Sequence, residues 1–350
     1  MEAEFSKFVN KYNKNYGSSE EYVKRLEVFM TSLHEVEVHN AKKLKWTKSI
    51  NEFSDLTSEE FRDRYLGGYI RRPFSSSNPS LNSKLSTKIP LRKDWREAEI
   101  ISPVKHQGCG NCWATAATEQ LESYLALQTN SKYTNLSVQQ ITACTSNPYH
   151  CGGKGGCDGA IDSIAYEYAG LFGVVSEADY PGMGARDHCT YNPKIQRPIA
   201  YVRGYETLPR NNYEAVINHI ANVGPLSVSI YADGMHDASS YGLKSYGGGY
   251  YKCDNDKNIL LDHAVQLVGY DTDEDGTDYW ILRNSWGKDW GDHGYFKLLR
   301  EKNILCGEDT LPEKGTACLG DGQDVQKVCG MCGMLFEASY PIGASSTRYA

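Results

Sequence analysis

The chain has 350 residues, a formal charge of −7 and a sequence pI near 5.8, with 40% hydrophobic residues. That length allows about two domains and an added segment, the apolar fraction suffices for sizeable cores, and the acidic balance argues against a nucleic-acid surface. No apolar run approaches the ~18 residues of a membrane span, and MEAEFSKFVNKYNKN is too polar for a signal peptide. The eleven cysteines speak against a cytosolic protein: with one set aside, ten remain for five bridges, as in an oxidising compartment. We therefore expect a lysosomal or extracellular setting, with a signal trimmed from, or missed in, this sequence.

Residues 1 to about 65 read as helical and charged. In EEYVKRLEVFMTSLHEVEVHN, Tyr22, Leu26, Phe29, Leu33 and Val36 alternate spacings of four and three, a narrow apolar stripe along one helix. RRPFSSSNPSLNSKLSTK, Arg71 to Lys88, is rich in Ser, Asn and Pro and reads as an exposed linker. In QGCGNCWATAATEQLE and beyond, Trp113, Ala117, Leu121 and Leu125 recur every fourth residue, which makes Cys112 the opening residue of a helix. The unpaired N–H groups and the dipole at a helix N-terminus favour a thiolate over the thiol, whose free pKa is ~8.5, and the thiolate is the nucleophile. Taken alone, a cysteine in this chain is more often a small buried or disulfide-bonded residue. Beyond about Glu206 the pattern alternates. PLSVSIYA puts Leu226, Val228 and Ile230 on one face, and HAVQLVGYD, DYWILRNSW and GYFKLLRE read as strands. The expectation is an α+β chain whose helical half packs on a twisted antiparallel, barrel-like sheet, with a ligand cleft between the two.

The segment PVKHQGCGNCWA resembles the active-site signature of papain-like cysteine proteases. Two further segments resemble the same family: LDHAVQLVGY, whose imidazole is His263, and LRNSWGKDWGDHGY, with Asn284 and a covering Trp286. Upstream, Glu21, Arg25, Phe29, Val36 and Asn40 match the spaced prosegment pattern of the cathepsin L-like branch, with Ser32 in place of its usual Asn. SINEFSDLT resembles the second prosegment motif through Asn51, Phe53 and Asp55, with Ser49 in place of Gly. The resemblance implies a papain-like two-domain fold made as a zymogen. Residues 1–88 would be inhibitory prosegment and linker, and 89–350 the peptidase. Within the peptidase it implies a helical half at about 107–205, a β half at about 206–340 and a Cys-rich insertion at about 306–331.

The same resemblance implies the roles. Cys112 is the nucleophile, His263 its base, Asn284 the residue that orients the imidazole, and Gln107 the side-chain donor of the oxyanion hole. The family has six steps from that Gln to the Cys; here there are five, Gln107 to Cys112, so the loop must be tighter. Backbone near Gly159 would lie open for a substrate to pair with, strand-like, with Ala160 crowding the groove. Glu337 would fall at the floor of the second subsite, with Ile161, Asp162, Ser229, Leu261 and Ala264 lining the rest, and would let Arg or Lys bind there beside Leu and Phe. Two bridges, Cys109–Cys157 and Cys144–Cys189, match family disulfides. Cys253 pairs with Cys306 or Cys332, while Cys151 and Cys318 have no family counterpart. The four cysteines ending in Cys329-x-x-Cys332 also suit zinc, although disulfides are favoured and no metal or cofactor is expected. Expected partners are peptide and protein substrates, the chain's own prosegment and cystatin-type inhibitors, with no nucleic acid or membrane, for a monomer. Asn135-Leu136-Ser137 is a glycosylation sequon. The alternatives are a silent homologue that acts by binding, motivated by the short Gln107 loop, and an insertion that binds metal or a partner.

Overall fold

The first 66 residues form a small unit laid against the rest of the chain. In the computed structural model, residues 2–66, 88–184, 188–232, 242–253, 258–312, 315, 317–321 and 324–348 are described; the expected linker, Lys88 apart, lies outside them. Helix α1 (Glu2–Lys11) crosses α2 (Ser19–Ala41), and Phe5, Phe8 and Phe29 form their buried contact. Ser18 caps α2 by accepting from Glu21 N, and Thr57 with Glu60 forms a capping box on α3 (Ser58–Tyr65). The narrow stripe fits this arrangement: α2 is covered by α1 and the Ile50 region on its apolar side and by the strand at Trp46 near its C-terminal end, where His39 meets Trp46, while Tyr22 stays partly exposed.

Between α2 and α3, strand β1 (Trp46–Lys48) pairs antiparallel with β5 (Tyr246–Tyr251), adding an edge strand to the main sheet. Gly249 permits this approach. Its φ is +84°, and a Cβ there would come within 2.2 Å of Lys45 O.

Helix α4 (Cys112–Thr129) runs through the middle of the molecule, with α5 (Val138–Cys144) and α6 (Asp162–Phe172) packed on one side and the sheet on the other. It is therefore buried nearly all round, and Ala114, Ala116 and Ala117 let its neighbours approach closely. Next come β3 (Gly204–Thr207), α7 (Tyr213–Asn222), β4 (Leu226–Ile230), β6 (His263–Thr272), β7 (Asp278–Arg283), β8 (Tyr295–Leu299) and β11 (Ala338–Ile342). The sheet order is β1-β5-β8-β7-β6-β4-β11-β3, and β2 (Lys93–Asp94) pairs with β6 off this path. The expected all-antiparallel sheet is corrected at one place: β5 and β8 pair parallel. YGGGYY has no alternation to reveal that pairing, which is set by chain direction far along the sequence.

The Cys-rich insertion forms a hairpin, β9 (Cys306–Asp309) with β10 (Gln326–Cys329), closed by a Cys306–Cys329 bridge. The other disulfides are Cys109–Cys157, Cys144–Cys189, Cys151–Cys318 and Cys253–Cys332. All four cysteines from Cys306 to Cys332 are in bridges, and Cys112 alone among the eleven is in none.

Candidate active site

Cys112 is the first residue of α4 and His263 the first of β6, and those two elements pack together. Cys112 and Ala264 share one buried cluster, so the thiol and the imidazole come from facing walls at the junction of helices and sheet. His263 Nε2 donates to Asn284 Oδ1 at 2.8 Å. Because an amide oxygen only accepts, this bond puts the ring hydrogen on Nε2 and leaves Nδ1 the acceptor. Nδ1 is buried and has no hydrogen-bond partner among the described residues. Trp286 stacks on the ring at 4.7 Å and 25° between planes, sealing it from water on that side. Burial brings the His263 pKa down to about 4, against the opposing pull of its bond to Asn284.

Gln107 stands across from Asn284. Its Oε1 accepts from Ser285 Oγ at 2.5 Å, which fixes the amide and turns Nε2 outward. Nε2 donates to Cys109 O at 2.7 Å and to Tyr65 O at 2.8 Å. The short loop thus keeps Gln107 beside the Cys112 helix while folding part of its donor capacity into a bond of its own. Tyr65 closes α3, so a carbonyl from the N-terminal unit sits where an amide donor awaits an oxygen. Leu66 follows, its carbonyl 3.3 Å from where a Cβ on Gly110 would lie.

The rest of that unit braces this contact. Phe53 and Phe61 lie edge-on to Trp286 at 6.0 and 5.1 Å. Asn51 Nδ2 donates to Lys244 O at 2.8 Å, and buried Asp55 accepts from Lys14 at 3.0 Å and Tyr16 at 2.9 Å. Arg25 donates to Glu60 at 2.6 Å and to Asp55 O at 3.1 Å. Burial pushes the Glu60 carboxyl up, but bonds from Lys24, the Thr57 backbone and Arg25 outweigh it and bring it down to about 2.

A buried charged network, which the sequence did not point to, holds α4 against the sheet. Arg283, next to Asn284, pairs with Glu119 at 2.9 Å and donates to Gln266, Ser102 and Pro103 O. Glu122 takes Lys105 at 2.8 Å and Leu136 N at 2.7 Å. Burial lifts the Glu119 carboxyl to about 7 even with Arg283 and Lys105 pulling it down. The available signal was a charge at Arg283, directly after the apolar run Tyr279 to Leu282 and before Asn284.

The expected substrate residues are not all in one place. Ile161, Asp162 and Glu337 line a cavity of about 150 Å³ with Leu208, Arg210 and Phe336. Ser229, Leu261 and Ala264 are buried and outside its lining, Ser229 pairing with Ala264 between β4 and β6 and Leu261 packing on Ile259, Val328 and Phe336. Asp162 accepts from Ser339 Oγ at 2.5 Å. Arg210, unexpected from sequence, approaches Glu337 to 3.6 Å and lies over the Phe336 ring. At the Gly159 edge, the Gly159 carbonyl accepts from Gly155 N at 2.8 Å, and with the prosegment in place Gly159, Ala160 and Ile161 are buried.

Residues 89–315 match the family profile of papain family cysteine proteases, and residues 5–61 match that of the cathepsin propeptide inhibitor domain. A cathepsin L-like peptidase of Aedes aegypti is 33% identical over 89% of this chain and 91% of its own length. Procathepsin L of Rattus norvegicus is 33% identical over 87% of this chain and 89% of its own length. Among solved structures, digestive procathepsin L 3 of the Tenebrio molitor larval midgut superposes with a TM-score of 0.73 at 30% identity, covering 97% of this chain and 98% of the other.

Proposed function

The chain belongs to the papain family of cysteine proteases and is made as a cathepsin L-like proenzyme, and from that premise we propose that Cys112, His263 and Asn284 carry its catalysis. The observation that carries the reading is the imidazole whose Nε2 is held by Asn284 and whose Nδ1 is an unpartnered acceptor, on the strand facing the helix that Cys112 opens. In the mechanism, His263 Nδ1 takes the thiol proton and the Cys112 thiolate attacks a peptide carbonyl. The oxyanion is held by Gln107 Nε2 and backbone N–H, His263⁺ protonates the leaving amine, and water then cleaves the thioester. Asn284 orients the ring without adding charge. The prosegment inhibits because Tyr65 O occupies the Gln107 amide and α3 lies on Trp286.

At the second subsite, Glu337 would take Arg or Lys beside Leu and Phe. A basic side chain must share that carboxylate with Arg210. Because such a partly exposed pair contributes only ~0–1 kcal/mol, a substrate guanidinium can displace it. The five bridges support a lysosomal or extracellular setting. A monomer open to cystatin-type inhibitors after prosegment loss completes the reading. The test is cleavage of paired peptides by the acid-activated enzyme: Cys112→Ala abolishes turnover, and Glu337→Ala lowers kcat/KM about tenfold for Arg two residues before the scissile bond, but not for Leu. Equal losses for both peptides would remove Glu337 from the subsite.

A further inference from the structure

The Cys-rich insertion is rooted in the β half but bonded to the helical half. At the root, Ile259 N donates to Glu308 O at 2.9 Å and Thr310 N to Asn258 Oδ1 at 2.8 Å. Farther along, Gly315 lies against the residues that lead into His263: a Cβ there would come within 3.0 Å of Leu260 Cδ1 and 3.5 Å of Leu261 O. Three residues later, Cys318 is bonded to Cys151, and Leu319 N donates to Tyr149 O at 2.9 Å.

Cys151 belongs to the opposite wall. Asn147 clamps its N and O at 2.9 and 2.7 Å. The adjoining Gly152 sits so near Ala160 that a Cβ would fall 2.3 Å from the Ala160 carbonyl carbon. Gly315 at the wall by Leu261 and Cys318 at the wall by Ala160 are three residue steps apart, a reach of at most ~11 Å, and so form the two ends of a short tie. Its end is packed: Ala317 is 5% and Cys318 4% exposed, and Cys318 shares a buried cluster with Cys112, Ala160 and Ile161.

We propose that this tie is a specificity element that ends the substrate cleft beyond its second subsite. The proposal rests on the reading of Ala160, Ile161 and Leu261 as the two sides of that subsite: Ile161 lines the Glu337 cavity, Ala160 precedes it, and Leu261 packs behind Phe336 of the lining. A substrate's third residue before the scissile bond then meets the strap, and Gly159 O, already accepting from Gly155 N, is less available to pair with it. Affinity therefore comes from the two residues nearest the bond and from the leaving side.

The experiment uses the activated enzyme and a fluorogenic series with Leu-Arg before the scissile bond, extended on its N-terminal side by none, one, two or three residues. The wild-type enzyme should change its kcat/KM by less than about twofold across the series. The Cys151→Ser/Cys318→Ser double variant should gain tenfold or more from the first added residue. A wild-type gain of tenfold with extension overturns the proposal without need of any variant. A flat series in both proteins also overturns it, because something other than the strap then closes the cleft. No turnover of any member, with Cys112 unreactive, would instead sink the protease reading on which the proposal rests.

Discussion

Acid should loosen the prosegment through His263. In the closed proenzyme its ring is buried, with a pKa of about 4. Opening the cleft returns it to water, where an ordinary imidazole titrates near ~6.5. Above that value both states hold the ring neutral and pH has no effect. Between 6.5 and 4, opening takes up a proton, so the closed form loses stability as pH falls; below 4 the effect saturates. From pH 7 to pH 5 the shift favours opening about 20-fold, ~1.8 kcal/mol, with a limit of about 300-fold, ~3.4 kcal/mol. Glu60 cannot supply this window, because a carboxyl held at about 2 loses its contribution only below its ordinary range. Glu52, 3.4 Å from His106, opposes it, since burial raises its carboxyl. The assay is cleavage of the Cys112→Ala proenzyme by a trace of added protease with a flat activity over pH 5–7, which reads the open population. The His263→Ala/Cys112→Ala chain should lose most of the rise. An equal rise in both chains would mean that His263 does not couple pH to prosegment release.

Two other outcomes follow from the same geometry. Gln107→Ala should lower kcat of the activated enzyme by about 10²–10³ with KM little changed, read by steady-state kinetics, because an oxyanion donor acts in the transition state. Arg283→Met should cost about 3–5 kcal/mol by urea unfolding, since it leaves Glu119 buried without its cation; a loss under 1 kcal/mol would mean the pair is not holding α4 to the sheet.

The three segments around Cys112, His263 and Asn284 were legible because each is a short run whose chemistry is local: a helix start, a strand start, and an Asn before a covering Trp. The α+β class was legible for the same reason, from the change of period near Glu206. What stayed hidden depends on residues far apart in the chain. Arg283 and Glu119 meet only because α4 packs on the sheet. Cys151 and Cys318 lie 167 residues apart, and bridge connectivity does not follow from a count of cysteines. Nor did the Gly-rich run reveal that Gly155 N would bond to the Gly159 carbonyl within its own loop. Arg210 carried no motif, and its place beside Glu337 depends on where the turn after β3 meets the start of β11.

The central claim is that Cys112 is a nucleophile armed by His263 and masked by the prosegment. The direct measurement is to acidify the proenzyme under mild reductant, add an epoxysuccinyl thiol-protease inhibitor, and locate the adduct by mass spectrometry. The expected result is an adduct on Cys112 that appears only after prosegment removal and is lost in His263→Ala. A fully processed enzyme with Cys112 unmodified, or labelling that survives His263→Ala unchanged, would contradict it.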